Sequence, residues 1–127
     1  MTQIFVIDAF TTGVPFSGNP AGVCLLDSWK SDQWLQSVAA EMNHSETAFL
    51  VIEKDGVAIR YFTPKIEVPL CGHATLASAY MLWEEGFFKK DNPIIFYAKG
   101  GTLKSLIHND RIQLDFPSTS VEKEAVI

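Results

Sequence analysis

A chain of 127 residues, 47% of them hydrophobic and 20% charged, has the composition of one ordinary globular domain, long enough for a single core and short for a second. Ten basic against fifteen acidic side chains give a formal charge of -5, and no basic run interrupts it, which excludes the broad attraction that nucleic acid or an anionic membrane surface exerts on its binders. The only cysteines, Cys24 and Cys71, and three scattered histidines form neither a disulfide framework nor a zinc-ligand spacing, so both thiols are expected reduced and no structural metal is expected.

The start M-T-Q-I-F-V-I-D-A-F lacks the basic stretch and long apolar core of a secretory signal, and no apolar run approaches a membrane span, so the expected compartment is the cytoplasm. Ile4 to Asp8 reads as a strand, and T-T-G-V-P-F-S-G-N-P after it as a loop dense in turn formers. Ala21 to Leu26 resumes as a second strand, in which Cys24 reads as a small buried hydrophobe rather than a reactive thiol. Ser31 caps a helix over Asp32 to Met42, with Trp34, Leu35, Val38, Ala39 and Met42 recurring on one buried face. The helix stops at Asn43 and His44, and Ser45-Glu46-Thr47 leads into the apolar strand Ala48 to Ile52.

Lys54-Asp55-Gly56 is a hairpin signal, and Val57 to Thr63 is the return strand, with Val57, Ile59 and Tyr61 on one side and Arg60 and Phe62 on the other. Pro64 and Pro69 lack the amide that a central strand needs, so Lys65 to Val68 is irregular or a short edge segment. From about Ala74 to Glu85 runs a helix apolar over most of its circumference, through Ala74, Leu76, Ala77, Ala79, Tyr80, Met81, Leu82 and Trp83, with Gly86 as its stop. Such a helix belongs inside a curved sheet. Ile94 to Ala98, Leu103 to Ile107 and Ile112 to Phe116 form a three-stranded meander, and the last stretch, S-T-S-V-E-K-E-A-V-I, has no clear pattern. The expected architecture is α+β: a mostly antiparallel curved sheet around a central apolar helix, with one outer helix, a domain over residues 1–117 and a tail or interdomain linker over 118–127.

Chemistry concentrates in two stretches. In E-V-P-L-C-G-H-A-T-L-A an extended segment turns through a Gly-bearing corner into a helix, so backbone amides of a helix start lie beside a thiol and an imidazole. Gly72 and the amides after it suit a substrate carboxylate better than a nucleotide, because no G-x-G-x-x-G or P-loop pattern occurs. His73 either orients a substrate oxygen or holds the corner through a loop carbonyl. Cys71 is either a base, its thiol favoured as thiolate by the helix start, or simple packing. In N-H-S-E-T-A-F, Glu46 at the mouth of an apolar strand is either a general acid/base or a surface carboxylate at a turn. His44 and His108 read as solvated polar residues.

The ordered series D-A-F-T, P-F-S-G-N-P-A-G-V, S-E-T-A-F, F-T-P and E-V-P-L-C-G-H-A-T-L-A resembles the N-terminal half of the phenazine-biosynthesis PhzF-like family, within the wider diaminopimelate epimerase-like fold, over Ile4 to Pro117. The resemblance implies that Glu46 is the proton-transfer residue, that His73 is a site residue, and that Asn19 and Gly72 line the same cleft. Related epimerases and proline racemases carry a catalytic cysteine where this chain has Cys71, although the S-E-T glutamate points to the isomerase branch. The family fold has two similar halves, each a sheet around a central helix, with the site between them, and its members are about twice this length. The second half's acidic residue and G-D-P-A-T-G-S-like corner are not in this sequence. The chain is therefore expected to be either a fragment needing a missing C-terminal domain or a homodimer whose copies each supply one wall.

The expected function is a cofactor-independent isomerase-type proton transfer on a small carboxylate-bearing substrate, incomplete without a second half or partner chain. A cysteine-dependent racemase or epimerase built on Cys71 is the first alternative. The second is a catalytically inactive fragment or interaction module, and the residues leave open whether the chain acts as an enzyme by itself.

Overall fold

A computed structural model describes residues 3–9, 19–109, 111–115 and 122–126, with backbone alone at 8, 9, 19, 20 and 122–126. The strands are β1 (Gln3–Ala9), β2 (Asn19–Leu26), β3 (Glu46–Glu53), β4 (Gly56–Phe62), β5 (Glu67–Val68), β6 (Ile94–Ala98), β7 (Gly101–His108), β8 (Arg111–Asp115) and β9 (Glu122–Val126), and the helices are α1 (Asp32–Met42) and α2 (Gly72–Glu84). One sheet contains all the strands in the order β1-β2-β3-β4-β6-β7-β8-β9, with β5 beside β4. Pairing is antiparallel except for β2 with β3 and β4 with β6, each separated by a helical crossover. The sheet is thus mixed and mostly antiparallel.

Helix α2 packs against β1, β2 and β3 and also against β8, strands from distant parts of the sheet order, so the sheet must curl around it. The helix is buried on nearly all sides, with only Tyr80 of the stretch Ala74 to Trp83 partly open. Leu76, Met81, Leu82 and Trp83 each contribute roughly 2 kcal/mol by leaving water. Opposite them on the concave face are Ala21 and Val23 of β2, Ala48 and Leu50 of β3, and Val57, Ile59 and Tyr61 of β4. Gly86, at φ 82°, takes the left-handed turn that ends the helix and that a side chain would strain.

The convex face has its own core, where Leu35 and Ala39 of α1 meet Cys24, Leu26, Phe49, Val51 and Phe62. Strand β3 is consequently buried on both faces, which is why its sequence runs apolar without alternation. Cys24 is fully buried with its Sγ 3.9 Å from Met42 Sδ, and burial pushes its thiol up to about 12, so packing is its role. Ser31 Oγ accepts from Trp34 N at 3.1 Å, the cap expected for α1, and Asn43 at φ 54° ends that helix. No helix among the described residues is long and apolar enough to cross a membrane.

Several boundaries differ from those expected of the sequence. Helix α2 starts at Gly72 rather than about Ala74, because Cys71 is already the extended N-cap residue. The Lys65 to Val68 segment is, as expected, a short strand segment, pairing only at Glu67 and Val68. Within the patternless C-terminal stretch, Glu122–Val126 is an antiparallel strand on β8, with Asp115 opposite Glu122. Its E-K-E-A-V sequence offers no apolar alternation to read, and the pairing comes from the ladder that β8 presents. Strand β2 begins at Asn19, so the last two residues of the stretch expected as a loop are strand, while the rest of that loop and the strand end at Phe116 fall outside the described residues.

Arg60 fastens the convex side. Its Nε and a terminal guanidinium nitrogen donate to Glu67 at 2.8 Å each, a terminal nitrogen also meets Asp32 Oδ1 at 3.0 Å, and the guanidinium stacks 5.6 Å from Trp29 and 5.4 Å from Phe62. Lys99 Nζ reaches the same carboxylate at 2.9 Å. With Arg60 and Glu67 only 15% and 20% exposed, this fork is better shielded than an ordinary surface pair.

Leu82→Ala should lower the unfolding free energy by about 3 kcal/mol, measured from urea midpoints, since it opens a cavity between helix and sheet. Arg60, with Lys99 behind it, holds the Glu67 carboxyl below its ordinary 4.5, so its stabilisation is complete above that pH and is lost as pH falls through the depressed value in the folded state. Urea midpoints taken between pH 7 and pH 3 should therefore fall less steeply in Glu67→Gln than in the parent chain.

Candidate functional site

The corner before α2 is built by anchors on both flanks. Upstream, Thr63 folds the chain back after β4, its Oγ1 accepting from Lys65 N at 3.2 Å and Ile66 N at 3.0 Å. Glu67 and Val68 then pair with Phe62 and Tyr61, and Pro69 O accepts from Gly100 N at 2.9 Å. A Cβ on Gly100 would lie 3.0 Å from both Leu70 Cβ and Pro69 O, so a side chain there would press on the Pro69–Leu70 segment that the β6–β7 turn approaches. Cys71 follows in extended conformation, φ -146° and ψ 108°, and its carbonyl accepts from Thr75 N at 3.1 Å and Thr75 Oγ1 at 2.8 Å.

Exposure changes along the first turn of α2. Cys71, Gly72 and His73 are half-buried, Ala74 to Ala79 are buried, and Glu84 at the far end is exposed, so α2 is open to its surroundings chiefly at its two ends. The first-turn amides have their acceptors outside the helix ladder, and the helix dipole favours negative charge there. A thiol, an imidazole and an anion-seeking backbone therefore share one corner.

Glu46 arrives from the other direction. Asn43 ends α1 in left-handed conformation, and the chain enters β3 at Glu46, half-buried and paired with Ala21 of β2. Strand alternation turns Glu46 to the same face as Ala48 and Leu50, the concave face that holds α2. Ala48 lies opposite Tyr61, whose hydroxyl is 2.6 Å from Thr75 Oγ1 in the first turn of α2. Glu46 is two residues along β3 from that row, roughly 7 Å. The fold thus brings Glu46 to the stretch of the concave face over which α2 begins.

Asn19 opens β2, its backbone opposite Ala9 and two residues before Ala21, Glu46's neighbour; its side chain lies outside what is described. Neither Cys24 nor Cys71 is disulfide-bonded, and their burial separates them, deep in the convex core and half-buried at the corner respectively. His44 follows α1 half-buried, and His108 is exposed at the end of β7. Sequence reasoning missed Tyr61 and Thr75 as parts of the corner. A hydroxyl four residues after Cys71 in an otherwise apolar helix was the available signal for Thr75. Tyr61 and Gly100 carried none, since their contacts come from elements distant in sequence.

The arrangement is chemically coherent: a carboxylate able to carry a proton, near a helix start able to hold an anion. A model of the family described as phenazine biosynthesis-like protein, PhzC-PhzF, matches residues 7–124. A Halalkalibacterium halodurans protein named as an uncharacterized isomerase is 52% identical over 125 residues, covering 98% of this chain and 47% of its own length. The crystal structure of an Enterococcus faecalis phenazine biosynthesis protein of the PhzF family superimposes with a TM-score of 0.81 at 38% identity, over 94% of this chain and 45% of the other. An Agrobacterium vitis hydroxyproline epimerase, solved with trans-4-hydroxy-L-proline bound, shares the fold with a TM-score of 0.67 at 12% identity, over 91% of this chain and 42% of the other. The chain spans about half the length of the curated relatives it matches. Matched along nearly its whole length by sequence and by structure, it belongs to the phenazine biosynthesis-like PhzC-PhzF family.

Proposed function

We propose that this chain supplies one wall of a cofactor-independent isomerase site that moves a proton between carbon positions of a small carboxylate-bearing substrate. The observation that carries this reading is Glu46 on the concave face, two residues along β3 from the row where Tyr61 meets the start of α2. Glu46 removes a proton from carbon and returns it to another carbon of the same molecule, so it ends the cycle in its starting state. The amides following Gly72 hold the substrate carboxylate, and electron density that develops on that carboxylate during proton removal is favoured by the same dipole. His73 and Asn19 orient the substrate. Because the family relatives are about twice as long, the facing wall comes from a second half or from a second copy related by a two-fold axis.

A second reading has one observation in its favour. Cys71 is half-buried at the N-cap of α2, where a thiol can meet the same substrate, and a cysteine-based racemase or epimerase would use it as one of two bases. Cys24 does not supply the other, because it is fully buried and its thiol is pushed up to about 12. The opposing base in that reading belongs to the facing wall.

Solvent exchange separates the readings. A panel of small carboxylic acids with an acidic C–H is incubated with the protein in D2O, and loss of the C–H signal is followed by proton NMR. Glu46→Gln should slow exchange by at least about a hundredfold, and an unchanged rate would remove Glu46 from the role given it here. In the same assay Cys71→Ser should stay within a few-fold of the parent, whereas abolished exchange would favour the cysteine reading. No exchange with any acid on the panel, with the fold intact and the facing wall present, would favour an inactive fragment or interaction module.

A further inference from the structure

We infer that Tyr61 and Thr75 are positioning residues that set the start of α2 in register with Glu46, through a buried chain running from the Tyr61 hydroxyl to Thr75 Oγ1 to the carbonyl of Cys71. The inference rests on the proposed proton-transfer site, whose two parts the chain joins.

The direction of the chain is set by donor counting. Thr75 Oγ1 lies 2.8 Å from Cys71 O, and a carbonyl only accepts, so the single hydroxyl proton of Thr75 is used there. The 2.6 Å contact between Tyr61 and Thr75 must then have Tyr61 as donor. Both side chains have no solvent exposure, and burial pushes the Tyr61 phenol well above the ordinary tyrosine range, so the donor keeps its proton. Each link has one allowed direction.

The chain acts at the end of α2 where a cap would lie, through a carbonyl rather than through the first-turn amides. Helix α1 is fixed at its start by Ser31 Oγ, a side chain at the N-cap. At the N-cap of α2, Cys71 makes no side-chain cap bond; its carbonyl takes the ordinary helix bond from Thr75 N and an added bond from Thr75 Oγ1, which Tyr61 holds in turn from the sheet. Tyr61 is itself immobilised in the sheet, paired with Ala48 on one side and Val68 on the other. Ala48 is two residues from Glu46 on the same face of β3, and Val68 is three residues before Cys71. The helix start is therefore referenced to the row of the sheet that carries the proposed base, by groups that no ligand displaces.

The test compares Thr75→Val, Thr75→Ser and Tyr61→Phe by nuclear magnetic resonance, reading the amide shifts of Gly72 and His73 and the hydrogen-exchange rate of the residue-75 amide relative to that of Leu82. Thr75→Val should move the Gly72 and His73 resonances and raise the exchange ratio by about tenfold or more, a local opening against an intact helix body. Thr75→Ser, which keeps the hydroxyl, should stay within about twofold of the parent. Tyr61→Phe, which leaves Thr75 bonded to Cys71, should fall between them, and it decides the matter by the same readout if Thr75→Val does not fold. Unchanged corner resonances and exchange ratio in the variants that lack a hydroxyl, or failure of Thr75→Ser to restore them, would overturn the inference. None of these readouts needs turnover, so the outcome is independent of whether Glu46→Gln slows exchange.

Discussion

The burial of α2 governs this molecule. A helix apolar on nearly every side gains stability only by leaving water on nearly every side, and one flat sheet face covers a single stripe of it. The sheet must curl until strands from separated parts of its order, β1 to β3 and β8, touch the same helix. Small residues make the close approach feasible: Ala74, Ala77 and Ala79 on the helix belong to the same buried cluster as Ala21 and Ala48 of the sheet. The mixed pairing is a consequence, since β2 to β3 and β4 to β6 are joined by helical crossovers that carry the chain over one face or the other.

A helix swallowed along its length keeps only its ends available. At its start, half-buried Cys71, Gly72 and His73 give way to full burial at Ala74. The fold thereby concentrates backbone polarity where a carboxylate arrives on the same concave face, and it does so with rigid elements. Glu46 is held by strand pairing with Ala21, and the corner is held by Gly100, Thr75 and Tyr61. Placing the proposed reacting groups on a strand end and a helix start, rather than on long loops, limits their relative motion.

The convex face serves the site indirectly. Helix α1 closes the second core over Cys24, Phe49 and Phe62, and its left-handed end at Asn43 sets where β3 begins, hence where Glu46 lies. Arg60 then links α1 through Asp32 to β4 and to Glu67 of β5, and Lys99 adds the β6–β7 turn. The segment leading to the corner is thus fastened on its convex side by charge and on its concave side by apolar packing of Val68 and Leu70.

Much of this was legible in the residues themselves. The all-round apolar pattern from Ala74 to Trp83 demanded an enclosing sheet, the single apolar stripe of Asp32 to Met42 demanded an outer helix, and the separated motifs around Glu46 and Cys71 to His73 marked where the polar groups lie. These are local signals, carried by periodicity and short-range chemistry. Strand order, the pairing of Glu122–Val126 with β8, and the contacts of Tyr61 and Gly100 emerge only in three dimensions, because ladder bonds and close approaches join residues whose neighbours along the chain say nothing of each other. The residues alone establish that a carboxylate and a helix start are present. That the two share a face is a property of the folded chain, because it depends on the register of β3 with β4 and on the hydroxyl contact that ties β4 to the first turn of α2.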